Sequence, residues 1–156
     1  MHSFARWMLV VIGLSLAFSA SAAKDPNEKA IKARKAVMTL QSWYAGPLFG
    51  MAKGEIEYDA EMAKTYAEHL DAMANVEGGA MWPQGTDNGA YEGKTRALPE
   101  IWTTYPEVAK KGEALSEAAA ALAAVAGDGL DALRSKIGPV GKSCKGCHDD
   151  FRAEQK

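Results

Sequence analysis

The chain has 156 residues, of which 47% are hydrophobic and 24% are charged, and its formal net charge is −2 at pH 7. This composition is typical of a globular protein and excludes a disordered or low-complexity chain. The slightly acidic balance gives no electrostatic reason to expect nucleic acid or an anionic membrane surface as a partner.

Residues 1–22 have the features of a secretory signal peptide. Arg6 lies in a start without acidic residues, residues 8–18 are almost wholly apolar, and residues 20–22 are Ala-Ser-Ala, which suits a signal peptidase. The apolar run is too short to span a membrane. We therefore expect cleavage after residue 22 or 23, one mature domain over residues 23–156, and no membrane span.

The mature chain begins with two stretches of helical periodicity. A first helix is predicted from Pro26 to about Lys53, with a kink or brief break at Gly46-Pro47, and a second from about Asp59 to Asn75. The residues expected to face inward are Ile31, Arg34, Val37, Met38, Leu40, Gln41, Tyr44 and Leu48 in the first helix and Met62, Tyr66, Leu70 and Met73 in the second.

A glycine-rich connection separates these helices from the last two. Residues 78–93 contain five glycines and one proline, which predicts little regular structure. A third helix is predicted over about residues 106–126. The last helix begins after Gly129, is interrupted near Gly138-Pro139 and continues to about Gln155. Four amphipathic helices bury their apolar stripes most simply against one another, so we predict an all-α four-helix bundle.

The segment Cys144-Lys145-Gly146-Cys147-His148 contains the only two cysteines of the chain. This spacing is typical of c-type haem attachment, in which two thioether bonds anchor the porphyrin and the adjacent imidazole reaches the iron. A structural zinc site would need a second pair of Cys or His ligands, and a thioredoxin-like dithiol would accompany a βαβ pattern. A disulfide would close too small a loop to add much stability. We therefore predict one covalently bound haem c, and, because thioether attachment takes place outside the cytoplasm, a periplasmic protein.

The mature chain resembles the class II cytochromes c, whose best-known members are the cytochromes c′. The resemblance rests on the C-terminal haem motif, the four helices, the glycine-rich connection after the second helix, and Pro99-Glu100-Ile101-Trp102 ahead of the third. It implies an antiparallel up-down bundle that encloses the haem. It also implies that Cys144 and Cys147 form the thioethers and that His148 is the proximal iron ligand.

The same resemblance assigns further side chains to the surroundings of the haem. Arg34, with help from Lys35, could pair with the haem propionates, and Met38 matches an apolar side chain over the vacant face of the iron. Trp82 would lie near the haem, and Arg152 beside the proximal imidazole. The residues alone also permit other roles: Met38 as core filler, Trp82 as a core-capping side chain and Arg152 as a solvated cation at a helix end.

Two functions differ in whether the Met38 sulfur reaches the iron. If it does not, a five-coordinate iron in an apolar pocket would bind NO or CO, and O₂ would be poorly stabilised because no distal hydrogen-bond donor is evident. If it does, a six-coordinate low-spin His/Met centre would transfer electrons between partner proteins that the sequence does not identify. The family pattern favours the first function, in a protein that can exchange electrons but is not expected to be an enzyme. The resemblance also implies a homodimer formed through the first two helices, with Tyr44 or Leu48 in the contact.

Overall fold

The computed structural model describes residues 25–154, which contain helices and no strand within that range. Five α-helices follow one another: α1 (Pro26–Lys53), α2 (Ala60–Ala74), α3 (Glu100–Thr103), α4 (Tyr105–Ala123) and α5 (Leu130–Phe151). One turn of 3₁₀-helix, Gly79–Met81, lies in the connection between α2 and α3. The predicted signal peptide lies outside the described residues. None of the helices described is long and apolar enough to cross a bilayer.

The four long helices form a closed ring of neighbours. α1 packs against α2 and α5, and α4 packs against the same two helices. Each helix contributes to one core, in which Leu48, Leu70, Leu122 and Leu133 are fully buried. The predicted all-α four-helix bundle is therefore confirmed. Leu48 belongs to this core, so the expectation that it contacts a second copy of the chain is wrong.

Side-chain hydrogen bonds and a glycine fix the ends of α1 and the start of α2. Asp25 Oδ1 accepts the backbone N–H of Asn27 at 2.9 Å, and Asp59 Oδ1 accepts that of Met62 at 2.7 Å. An aspartate in this position satisfies an N–H group that the helix itself leaves without a partner. Gly54 has φ 81°, in the left-handed region where glycine ends a helix without strain.

Two prolines lie inside continuous helices. Pro47 is within α1 and Pro139 within α5, so the predicted interruption of the last helix at Gly138-Pro139 is wrong, and α1 is not broken at Gly46-Pro47. A proline normally disfavours helical backbone at the preceding residue because its ring clashes with that residue's Cβ. In both helices the preceding residue is a glycine, which has no Cβ. The glycines that suggested helix breaks instead make these prolines tolerable.

The inward face of α2 matches the prediction at Leu70 but differs from it at Met62. Ala63, Ala67 and Leu70 are buried, whereas Met62, which we expected to face inward, is exposed. Leu40 of α1 is likewise exposed rather than inward. A hydrophobic pattern gives little weight to alanine, although its small side chain permits helices to approach closely. The predicted stripe therefore followed the larger methionine.

The connection between α2 and α4 is joined to the end of α5. α5 ends at Phe151, earlier than predicted, because Arg152 adopts an extended conformation and forms an antiparallel bridge with Ala97. In this bridge the N–H of Leu98 donates to the carbonyl of Phe151 at 3.0 Å. The helix that contains the haem motif is thus tied to the connection at its last turn.

Candidate haem site

The two cysteines and the histidine of the motif share one face of α5. Residues separated by three and four positions are neighbours on a helix, so Cys144, Cys147 and His148 project to the same side. All three are half-buried. Cys144 packs against the main core of the bundle. Cys147 packs against a second cluster, whose buried members are Ala97, Ile101 and Phe151 and against which Trp82, Trp102 and Val108 also pack.

Burial shifts the pKa of each of these three residues. Burial raises the pKa of both thiols, so each is a neutral thiol at neutral pH. Burial, followed by the charges of Arg152 and Arg96, lowers the pKa of His148, which favours the neutral imidazole that binds iron. Within residues 25–154 no group of three or more His, Cys, Asp and Glu side chains is placed to hold a metal ion. Two thiols and an adjacent imidazole on one face of α5 are the donor set of covalent haem attachment.

Arg152 is close enough to His148 for its charge to act on the imidazole, but it is not on the helix. It is the residue that follows α5, and its backbone is extended. Its position depends on the bridge with Ala97, and the next residue continues the pairing, because the N–H of Ala153 donates to the carbonyl of Arg96 at 2.9 Å. The bridge thus brings Arg96 and Arg152 to the same end of α5 as His148.

Arg34 is a buried cation whose hydrogen bonds all go to neutral acceptors. Its side chain lies on α1 and the residue is only 3% exposed. Nη1 donates to Thr86 Oγ1 at 2.7 Å and to the Met81 carbonyl at 3.3 Å. Nη2 donates to the Thr86 carbonyl at 2.6 Å and to Thr95 Oγ1 at 3.1 Å. Burial lowers the pKa of this guanidinium. Four N–H groups of the Arg34 side chain thus have partners in the connection between α2 and α3. The predicted pairing of Arg34 with haem propionates stays a prediction.

Trp82 and Trp102 lie side by side next to this guanidinium. The Arg34 Cζ atom is 4.5 Å from the centre of the Trp82 ring and 5.9 Å from that of Trp102, within the range of cation–π attraction. The two rings are 6.3 Å apart, and Trp102 Nε1–H donates to the Trp82 carbonyl at 3.0 Å. Trp82 is thus placed on the side of the bundle where Cys147 packs.

Met38 follows Arg34 by one turn of α1. We expected Met38 to face inward, but the residue is 37% exposed. The polar residue one turn further along, Gln41, donates its Nε2–H to the Met73 carbonyl at 3.0 Å and so faces α2. Arg34, one turn before Met38, and Gln41, one turn after it, thus both donate N–H groups to oxygens of the protein.

Three residues near the site have no assigned role in the sequence-based prediction. Thr86 and Arg96 carry no local signal, because their partners on α1 and at the chain end are distant in sequence. Trp102 lies in the Pro-Glu-Ile-Trp segment that supported the family resemblance, and this position offered the one available hint. The structure brings all three to the end of the bundle where Cys147 and Arg34 lie.

Comparisons with known proteins agree with this geometry. A family model described as cytochrome c′ matches residues 29–152. The chain is 42% identical over 134 residues to a cytochrome c′ of Halomonas halodenitrificans. The aligned region covers 81% of this chain and 98% of the relative. It is 34% identical to the crystal structure of a cytochrome c′ from Thermochromatium tepidum, with a TM-score of 0.76 over 85% of this chain and 100% of that one. The nitric oxide complex of a cytochrome c′ variant from Alcaligenes xylosoxidans is also 34% identical, with a TM-score of 0.72 over 85% of this chain and 99% of that one.

Proposed function

Since the chain belongs to the cytochrome c′ family, whose members carry covalently bound haem c, we propose that it is a periplasmic protein that binds NO and CO at a five-coordinate haem iron. One observation carries the proposal: a variant of a relative, which matches 85% of this chain at 34% identity, has been solved as a nitric oxide complex. When bound, haem supplies a ferrous iron that donates electron density to NO or CO.

Three residues of α5 hold the cofactor in this proposal. Cys144 and Cys147 form the two thioether bonds, and the neutral imidazole of His148 is the axial ligand. Burial and the two nearby arginines keep His148 unprotonated, since both disfavour the imidazolium. The charge of Arg152 therefore acts on the proposed axial ligand.

The surroundings of Met38 support selectivity for NO and CO over O₂. Bound O₂ is stabilised by a nearby hydrogen-bond donor, whereas NO and CO need none. Two polar side chains within a turn of Met38, those of Arg34 and Gln41, donate N–H groups to carbonyl and hydroxyl oxygens of the protein. Met38 itself contributes an apolar thioether with no donor. The distal side is thus suited to small uncharged ligands that require little polar assistance.

The first experiment is the optical spectrum of the purified holoprotein, oxidised and reduced, before and after addition of CO. We expect a high-spin spectrum that shifts immediately with CO. A sharp low-spin spectrum with a band from thioether ligation near the red edge, unchanged by CO, would overturn the proposal. Met38 would then be the sixth ligand, and the protein would be an electron-transfer cytochrome of the same family.

The Met38→Ala variant separates the two coordination states. In the five-coordinate protein the variant keeps its haem and its high-spin spectrum, because the side chain does not bind iron. In a six-coordinate protein the same change would convert a low-spin centre into a high-spin one. Thr39→Val, a neighbouring substitution on the exposed side of α1, serves as the matched control and is expected to leave the spectrum unchanged.

We further propose that two copies of the chain pair through α1 and α2. Trp43 of α1 is 66% exposed, and Leu40 is exposed one turn before it, so the helix presents apolar surface that a second copy would cover. Sedimentation of the holoprotein is expected to show a dimer that Trp43→Ser dissociates. Tyr105→Ser is the matched control, because Tyr105 is a comparably exposed aromatic residue, at 69%, on α4. A wild-type chain that stays monomeric at high concentration would contradict the dimer.

A further inference from the structure

Arg34 is a buried guanidinium without a carboxylate partner among residues 25–154. Removing a cation from water is costly, and such groups are usually paired with an opposite charge. Here four N–H groups are satisfied by neutral oxygens of Thr86, Met81 and Thr95. These acceptors all lie in the connection between α2 and α3, within residues 81–95. The cation therefore holds a segment that has little regular structure of its own.

The same guanidinium also orients two tryptophans. Trp82 lies between the acceptors Met81 and Thr86, and its ring faces the Arg34 Cζ atom at 4.5 Å. Trp102 is held next to Trp82 by the hydrogen bond from its Nε1–H to the Trp82 carbonyl. We call Trp82 and Trp102 together the aromatic wall. Arg34 on α1 thus fixes the position of the wall in two ways. Its guanidinium donates hydrogen bonds to the residues on either side of Trp82, and it attracts the Trp82 ring by a cation–π interaction.

The aromatic wall ends at the haem motif. Trp82 and Trp102 both pack against the cluster of Ala97, Ile101 and Phe151, and Cys147 packs against the same cluster. Contact therefore runs from Arg34 on α1 through the wall to this cluster, against which the second cysteine of the motif also packs. These side chains place apolar surface beside Cys147 at the edge of the site.

We propose that Arg34 is a positioning residue, which acts on the haem site through Thr86 and the aromatic wall and so keeps the Cys147 edge dry. Solvent exposure and burial are among the factors that set haem reduction potentials, because water stabilises the more highly charged ferric state. A loosened wall therefore lowers the reduction potential. The inference rests on haem attachment at Cys147, as the proposed function does, but it does not depend on the coordination number of the iron.

The experiment measures the reduction potential and the thermal unfolding of holoprotein variants. Thr86→Val keeps the charge of Arg34 but removes the hydroxyl that accepts from Nη1 at 2.7 Å and donates to the Pro83 carbonyl at 2.7 Å. Arg34→Lys also keeps a cation but loses the planar fork. We expect both to raise the ferric-to-ferrous ratio at a fixed potential by about two- to tenfold, where tenfold corresponds to 59 mV for one electron. The double variant should shift less than the sum of the two, because both changes release the same contact.

Two further variants control for effects of folding. Thr86→Ser keeps the hydroxyl, so its reduction potential should equal that of the wild type. Thr65→Val makes the same chemical change at an exposed position of α2 and should also leave the potential unchanged. If Thr86→Val does not yield holoprotein, Thr95→Val removes the single 3.1 Å contact to Nη2 and should give a smaller shift in the same direction.

The inference would be overturned by an unchanged reduction potential in Thr86→Val, or in Thr95→Val if Thr86→Val yields no holoprotein. Arg34 would then act on the haem by direct contact or by its charge alone, as in pairing with the propionates, and Arg34→Gln would shift the potential where Thr86→Val does not. The outcome is separate from that of the CO experiment. A low-spin, CO-insensitive wild type would reject the proposed gas binding, yet it would leave the expected effect of Thr86→Val on the potential intact.

Discussion

Cys144 is one of two residues proposed to bind haem covalently, and its loss has a direct chemical readout. Replacing it by alanine removes one thioether, so Cys144→Ala is expected to yield protein with singly attached haem or none. The alkaline pyridine spectrum of the reduced haem, with the mass of the intact chain, measures this change. Ser143→Ala is the matched control, because Ser143 is the adjacent half-buried residue of α5. Stoichiometric haem with an unchanged spectrum in Cys144→Ala would reject the attachment at this residue.

At the level of single residues, local motifs could be predicted and distant partners could not. Cys144, Cys147 and His148 lie within five consecutive positions, so their chemistry is readable from spacing alone. The partners of Arg34 lie 47, 52 and 61 positions away in the chain. No local pattern pairs residues at such distances. The sequence could therefore place Arg34 on the inner face of its helix, but it could not identify Thr86 as its hydrogen-bond partner.

Among the elements, Tyr58 joins two turns at one end of the bundle. It follows α1 and donates its hydroxyl to the carbonyl of Ala126, after α4, at 2.9 Å. The same hydroxyl accepts the N–H of Gly129, the residue before α5, at 3.0 Å. Tyr58→Phe leaves both backbone groups without this partner, so we expect the free energy of unfolding to fall by about 1–3 kcal/mol.

Chemical denaturation of the holoprotein measures the effect of Tyr58→Phe. Tyr105→Phe is the matched control, because Tyr105 is highly exposed and its change should leave the denaturation midpoint within error. Equal midpoints for wild type and Tyr58→Phe would show that water replaces the lost contacts.

The helices could be predicted more reliably than their interruptions. The starts of α1 and α2 follow from Pro26 and Asp59, whose roles at a helix start are local. The breaks predicted at Gly46-Pro47 and Gly138-Pro139 are absent from α1 and α5, although each pair contains two residues that individually disfavour helix. Their combination is compatible with helix once buried side chains such as Leu48 and Val140 hold the segment in the core. Tertiary packing thus overrides propensity at both prolines.

Across the whole molecule, the connection between α2 and α4 depends on contacts with the helices around it. Tyr91 O–H donates to Asp25 Oδ2 at 2.8 Å, next to the start of α1. Lys35 Nζ donates to the Lys94 carbonyl at 3.1 Å. The bridge at Ala97 adds a tie to the chain end. The connection was correctly expected to have little regular structure, but its attachment to α1 and α5 could not be predicted from a glycine-rich pattern.

The contact between Asp25 and Tyr91 makes part of the stability depend on pH. The hydrogen bond from Tyr91, followed by that from the Asn27 N–H, lowers the pKa of the Asp25 carboxyl below its usual value. A lowered pKa stabilises the folded state above the unfolded pKa of about 4, and this contribution is lost as pH falls through the folded pKa. We expect Asp25→Asn to be less stable than wild type near neutral pH, with a difference that shrinks below about pH 4.

Thermal unfolding at several pH values measures this difference. Asparagine also caps a helix, so the substitution removes the charge while keeping an acceptor for Asn27. Asp128→Asn, at an exposed aspartate in the turn before α5, is the matched control and should show no such trend. A difference between wild type and Asp25→Asn that is independent of pH would contradict the assignment.

The long-range ties of the connection have a kinetic consequence. Tyr91 and Asp25 are 66 positions apart and Thr86 and Arg34 are 52 apart, so each tie closes a long loop of chain. The entropy of closing such loops delays the contacts that require them. After a denaturant jump, helical signal in the far ultraviolet should therefore recover before the near-ultraviolet signal of Trp82 and Trp102, measured in a Trp43→Phe background. The segment that Arg34 anchors would then be the last part of the molecule to become ordered and the first to be released.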